Sequence, residues 1–173
     1  MNQRMDRLNG LHPILRDPAL CLVERCEQKL KRRLFIVHGW RSLPEQMAIY
    51  AKGRSYNRET MDWEIADASA IVTRARPGTS AHNVITQAGQ PASMALDVIP
   101  FAADGTLDWQ VELGFWDDLY ELAWEVGLDP EGDQIGSYLP GDRGHFGEPG
   151  WKLKLDGLGL LLPSVDLTTH RAV

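Results

Sequence analysis

Apolar residues at Leu20, Val23, Cys26 and Leu30 recur at steps of three and four, with Glu24, Lys29, Lys31 and Arg32 between them, which predicts a helix with one apolar stripe. Asp17-Pro18 supplies its start, because an acid caps a helix and proline suits the first helical position. On this reading Cys21 and Cys26 are small apolar residues near the core. The period then changes: Leu34-Phe35-Ile36-Val37 is short, branched and wholly apolar, a buried strand that ends at Gly39. Ser42-Leu43-Pro44-Glu45 has the Ser-to-Glu spacing of a capping box and opens a second helix through about Gly53. Arg41 falls at the junction of strand and helix, a rigid place from which to aim a guanidinium; a surface salt bridge is the bland alternative.

Residues 55–70 are polar and then Ala-rich, and read as a short helix or lid-like excursion. Ile71-Val72-Thr73 resumes strand character before Pro77-Gly78 turns the chain, and Ala95 to Phe101 reads as a further strand. After a turn at Asp104-Gly105, Val111, Phe115, Leu119, Leu122 and Val126 fall at helical spacing, predicting a helix from about Leu107 to Val126 stopped by Gly127. Gly132 to Gly144 is loop-rich, with Ile135 to Tyr138 a short strand. Trp151-Lys152-Leu153-Lys154-Leu155 alternates like an edge strand, and residues 156–173 fit no pattern. Short strands from distant parts of the chain, mixed irregularly with helices, predict an α+β fold with a small antiparallel sheet and flanking helices.

Length and composition narrow the class. A chain of 173 residues with 43% hydrophobic and 24% charged residues is expected to form one soluble domain, residues 1–173, with a real core. A formal charge of −6 argues against nucleic acid as partner. The N-terminus lacks the apolar run of a signal peptide, and the longest apolar stretch, Leu158 to Leu162, is far below the ~20 residues that span a bilayer. The expectation is a monomer without stable membrane association, made in the cytoplasm with reduced cysteines.

Two cysteines in one helical run leave no thiolate set for a metal, so a zinc site here would use histidine and carboxylate. Of the five histidines, His12, His38 and His170 sit in a terminal segment, at the end of an apolar run and in a polar tail. His82 in Gly78-Thr79-Ser80-Ala81-His82 and His145 in Asp142-Arg143-Gly144-His145-Phe146 stand in Gly-rich turns beside strand-like residues. Taken singly, a histidine so placed is more often structural than a ligand.

The combination of Ser80-Ala81-His82, Ala95-Leu96-Asp97-Val98 and Asp142-x-x-His145-Phe146 resembles the zinc peptidases that cut D-alanyl-D-alanine or L-alanyl-D-glutamate bonds in bacterial cell-wall peptides. Their pattern is Ser-x-His, Gly-x-Ala-x-Asp, and an acid three before the last histidine. His38-Gly39-Trp40-Arg41-Ser42, Gln46 and Tyr50-Ala51-Lys52-Gly53-Arg54 are similar to a second family block, and Ile71 to Gly78 to the approach to the first ligand in the phage-type L-alanyl-D-glutamate enzymes. The resemblance spans roughly residues 34–146. It implies a hedgehog/DD-peptidase-like fold, one Zn2+ held by His82, Asp97 and His145, Asp142 as general base, Arg41 as the cation for the developing oxyanion, and Ser80 touching substrate or orienting its loop. It also implies a peptidoglycan stem peptide as substrate, cut at L-alanyl-D-glutamate by an endolysin-like enzyme that waits in the cytoplasm for a membrane-pore protein. A D-alanyl-D-alanine carboxypeptidase or dipeptidase, or a non-catalytic wall-binding module of the same fold, stay open beside it.

Two departures stand out. The interval from His82 to Asp97 is fifteen positions against the family's seven, an insertion around Val84 to Pro91, and Ser93 replaces the family glycine four before Asp97. If the inserted residues lengthen a hairpin loop, both ligands still meet on adjacent strands.

Overall fold

The computed structural model of the protein describes residues 7–130 and 143–165. In chain order it contains α1 (Pro13–Arg25), running on into a π-helical turn (Cys26–Leu30), then β1 (Leu34–His38), α2 (Leu43–Tyr50), β2 (Arg54–Asn57) and β3 (Asp62–Ile65). There follow β4 (Ile85–Thr86), β5 (Ala95–Pro100), α3 (Leu113–Glu125), β6 (His145–Gly147), α4 (Trp151–Lys154) and β7 (Leu160–Leu161). The central sheet is antiparallel in the order β1-β5-β6; β2 pairs with β3, and β4 with β7. The fold is therefore α+β. Among the described residues no helix is long and apolar enough to cross a membrane.

Side chains alternate across a strand, so each strand of the central sheet serves two faces. Leu34 and Ile36 of β1, Leu96 and Val98 of β5, and Phe146 of β6 go to one face. There they meet Leu15, Ala19 and Leu22 of α1 and Phe115, Leu119 and Leu122 of α3. Fully burying such a side chain is worth about 1.5–3 kcal/mol, and this layer fixes the sheet. A smaller cluster of Ala81, Val84, Ala92, Met94, Ala95, Trp151 and Leu160 covers part of the other face. Asp97 and His145, one residue out of phase with the core, are left on that second face.

The β1–β5 register carries one irregularity. Leu34, Phe35 and Ile36 pair with Pro100, Ile99 and Val98, but Asp97 is opposite His38, where an unbroken ladder would place Val37. This is a β-bulge, which inserts a residue and re-aims the side chains beyond it. The Ile36 and Val37 carbonyls there accept from the Arg7 guanidinium, the first at 2.5 Å, and that cation also stacks on the Phe35 ring.

Several elements differ from the pattern reading, each for a local reason. The first helix starts at Pro13, capped by His12, whose Nδ1 accepts from the Ile14 amide at 3.4 Å, and Pro18 lies inside it. Its stripe runs through Leu15, Ala19, Leu22 and Cys26, which leaves Cys21 exposed; burial pushes the Cys26 thiol up to about 12, so it is inert. Residues 55–70 hold a hairpin followed by a short 3-10 helix, Ala68–Ala70; Tyr56 and Trp63 pair across the hairpin and the Asn57 side chain accepts the Glu59 and Thr60 amides at its turn. Ile71 to Thr73 joins no ladder: Arg54 takes the Thr73 carbonyl at 3.0 Å and Gln46 that of Ala75 at 2.9 Å.

Trp151 to Leu155 is α4 and its cap, not an edge strand. Helical geometry puts Trp151 in the second core cluster with Leu155 against it and turns Leu153 out to 92% exposure. The third helix is shorter than expected, beginning at Leu113 after a bridge between Phe101 and Leu107. Part of the stretch without a pattern becomes β7, which pairs with β4. The expected strand at Ile135 to Tyr138 lies outside the described residues.

Candidate metal centre

Asp97 and His145 are direct partners across β5 and β6, so their side chains share a face. The approach to His145 needs glycine at position 144, where a Cβ would collide with the Val98 carbonyl; the Gly144 carbonyl in turn accepts from the Val98 amide at 2.8 Å. His82 reaches the same place from a 3-10 turn, Ala81–Asn83, capped by Ser80, whose hydroxyl accepts the His82 amide at 3.3 Å. Asn83 ties that turn down by accepting from Gly78 and donating to the Arg41 carbonyl, both at 3.0 Å, while the Arg41 amide donates to His82 at 2.9 Å.

The inserted residues form a closed hairpin. Ala92 donates to Val84 and Met94 to Ala81, both at 3.0 Å, and β4 of this hairpin is backed by β7. The extra length thus stays beyond the base and leaves His82 and Asp97 together. The two candidate donors on adjacent strands are nevertheless Asp97 and His145, since His82 sits in a turn. Ser93 is wholly buried and its hydroxyl bonds to the Ala95 carbonyl at 2.6 Å, a local use for the hydroxyl where the family pattern has glycine.

Three donor atoms converge. His82 Nε2 is 3.3 Å from Asp97 Oδ1 and 3.3 Å from His145 Nδ1, and His145 Nδ1 is 2.9 Å from Asp97 Oδ1. His82 Nδ1 donates to the Gly39 carbonyl at 2.6 Å, so in the neutral ring the lone pair is on Nε2 and faces the cluster. Burial pushes His82 down to about 4 against the field of Asp97, so the ring is neutral at pH 7. Burial pushes the Asp97 carboxyl up, but the neighbouring imidazoles of His82, His145 and His38 outweigh it and hold the group well below its usual range.

A lone pair on His82 Nε2 therefore faces a carboxylate oxygen with no proton of its own to place between them, which is the electrostatic shape of a cation site. The spacing agrees: donors held tetrahedrally about 2.0–2.1 Å from a zinc ion lie roughly 3.3 Å from one another. His82, Asp97 and His145 thus fit a metal ion in chemistry and in size. Two imidazoles and one carboxylate leave a fourth tetrahedral position for water.

Arg41 lies directly against the cluster. It is nearly buried and donates through Nη2 to Asp97 Oδ2, with Nη1 3.4 Å from Gln46 Oε1. Its Nε and the Trp40 indole nitrogen are buried without a hydrogen-bond partner among the described residues. Asp142 lies outside the described residues.

The residue that the sequence reading quoted without giving it a role at the site is His38, whose Nδ1 is 3.3 Å from Asp97 Oδ2. By alternation His38 shares the parity of the core residues Leu34 and Ile36, so only the bulge brings it to the Asp97 face, and the sequence carries no mark of the bulge. Gln46, quoted as part of a motif but given no role, is fully buried and joins Arg41 to the Ala75 carbonyl.

No protein-family model matches the chain, and no curated protein matches it. Among solved structures it is similar to the L-Ala D-Glu endopeptidase ChiX of Serratia marcescens, at 15% identity over 84% of this chain and 85% of that one, with a TM-score of 0.47. It is likewise similar to the vancomycin-resistance D,D-pentapeptidase VanY of the VanB-type cassette in complex with Zn(II), at 19% identity, 81% and 71% coverage and a TM-score of 0.48. An L,D-carboxypeptidase DacB from Streptococcus pneumonia is similar at 23% identity, 89% and 76% coverage and a TM-score of 0.46.

Proposed function

We propose that this chain is a zinc-dependent peptidase of bacterial cell-wall peptides that cuts the L-alanyl-D-glutamate bond, with His82, Asp97 and His145 holding the ion. The observation that supports it most is the convergence of His82 Nε2, Asp97 Oδ1 and His145 Nδ1 within 3.3 Å of one another on the side of the sheet away from the main core. The motif resemblance around these three residues supplies the substrate class.

A zinc ion bound there supplies an acidified water and a Lewis acid for the carbonyl. The chain's residues do the rest. The Gly39 carbonyl keeps the His82 lone pair on Nε2, and Ser80 holds the turn that presents it. Asp142, by resemblance, takes a proton from the attacking water and returns it to the leaving amine. Arg41, the one guanidinium against the cluster among the described residues, serves the oxygen on which negative charge develops, at a place sheltered from water. The choice of bond rests on the likeness of Tyr50 to Arg54 and Ile71 to Gly78 to the phage-type enzymes.

The test is digestion of purified sacculi by zinc-loaded protein, with labelling of new amino termini and mass analysis of the fragments. New D-glutamate termini are expected. Release of free D-alanine without loss of turbidity would replace the proposal by a carboxypeptidase, and retention on sacculi with no product by a binding module.

A further inference from the structure

The two oxygens of Asp97 have different neighbours. Oδ1 faces His82 Nε2 and His145 Nδ1, the inner pair of donors, at 3.3 and 2.9 Å. Oδ2 faces outward to Arg41 Nη2 and to His38 Nδ1, the latter at 3.3 Å. His38 Nδ1 is also 3.3 Å from Arg41 Nη2: a ring with its proton on Nδ1 donates to Asp97 Oδ2, and one with its proton on Nε2 accepts from Arg41 instead. His38 reaches this oxygen only because the bulge after Ile36 shifts the register by one residue, and the Arg7 guanidinium holds the bulge by occupying the Ile36 and Val37 carbonyls.

We infer that His38 is a positioning residue of the metal centre: its Nδ1–H holds the outer oxygen of Asp97, so that the carboxylate presents Oδ1 alone to the ion and stays in place when Arg41 turns to substrate. The inference rests on the metal-centre reading above. A carboxylate held by Arg41 alone would have to exchange that partner whenever the guanidinium served a reacting carbonyl; a second donor on the same oxygen removes the conflict. Hydrogen bonds behind a ligand orient it and strengthen its grip, and their loss typically weakens a metal site about 10–100-fold. The geometry also specifies which atom matters. An asparagine at position 38 places its amide nitrogen where the ring carries Nδ1, whereas glutamine reaches to where the ring carries Nε2.

The experiment measures zinc affinity of the full chain by competition with a chromophoric chelator, for wild type, His38→Ala, His38→Asn and His38→Gln, alongside the melting midpoint of each protein stripped of metal. Alanine and glutamine are expected to weaken zinc about 10–100-fold, asparagine to keep most of the wild-type affinity, and the metal-free midpoints to agree. Alanine binding zinc as tightly as wild type, or asparagine no better than glutamine, would overturn the role given to Nδ1 and leave the metal centre standing. A wild type that takes up no zinc would overturn the centre and this inference with it. Should the alanine protein fail to fold, the asparagine–glutamine comparison decides alone.

Discussion

His82 makes the metal-free protein acid-sensitive in a window that its burial defines. The ring is 2% exposed and burial holds it at about 4, whereas in the unfolded chain it titrates near 6.5. Between those values the unfolded chain takes up a proton that the folded chain refuses, so stability is complete above about 6.5 and falls as the pH drops towards 4. At about 1.4 kcal/mol for each tenfold difference in proton affinity, the loss is roughly 3 kcal/mol, a large part of the ~5–15 kcal/mol typical of a domain. Asp97 adds nothing in this window: its carboxyl is held below its ordinary range, so its contribution is lost only at lower pH. His12 is also lowered by its partial burial and slopes the same way, so a variant is needed to separate the two. His82→Asn keeps a donor for the Gly39 carbonyl and removes the titration. Urea unfolding of both proteins in chelator, at half-unit steps from pH 7 to 4, should show a wild-type curve steeper than the variant's by roughly 3 kcal/mol over the window. Parallel curves would mean that the ring is solvated or already protonated in the fold, and the electrostatic case for the cation site would fail with them.

Metal analysis should find one zinc per chain in wild type and little in His82→Ala, Asp97→Ala or His145→Ala; full zinc in the Asp97 variant would remove that residue from the ligand set. Asp142→Ala should bind zinc normally yet turn over stem peptide about 10²–10⁴-fold more slowly, the usual cost of losing a general base, and loss of metal together with activity would make it a ligand instead. Phe146→Ala empties a fully buried position on the core face of β6, so urea unfolding should show about 3–5 kcal/mol less stability. A loss below about 1 kcal/mol would mean that β6 is not fixed by this core.

What the sequence determined by itself was whatever depends on neighbours a few residues apart. The Ser42 capping box and the apolar run of β1 are of that kind. The spacing of Ser80, His82, Asp97 and His145 marked the donors without their geometry. Tertiary structure decided the remainder, because it depends on partners far along the chain. The hairpin at residues 54–65 is set by the meeting of Tyr56 and Trp63, and α4 by the burial of Trp151 in the second core cluster, and both overrode local pattern. The inserted residues leave His82 beside Asp97 because their hairpin is closed at its base and backed by a strand from residues 160–161. His38 is the sharpest case. Its alternation assigned it to the core, and a bulge held by a guanidinium 31 positions earlier turned it to the Asp97 face, an exchange of one ladder position for two side-chain hydrogen bonds that no local pattern of residues records.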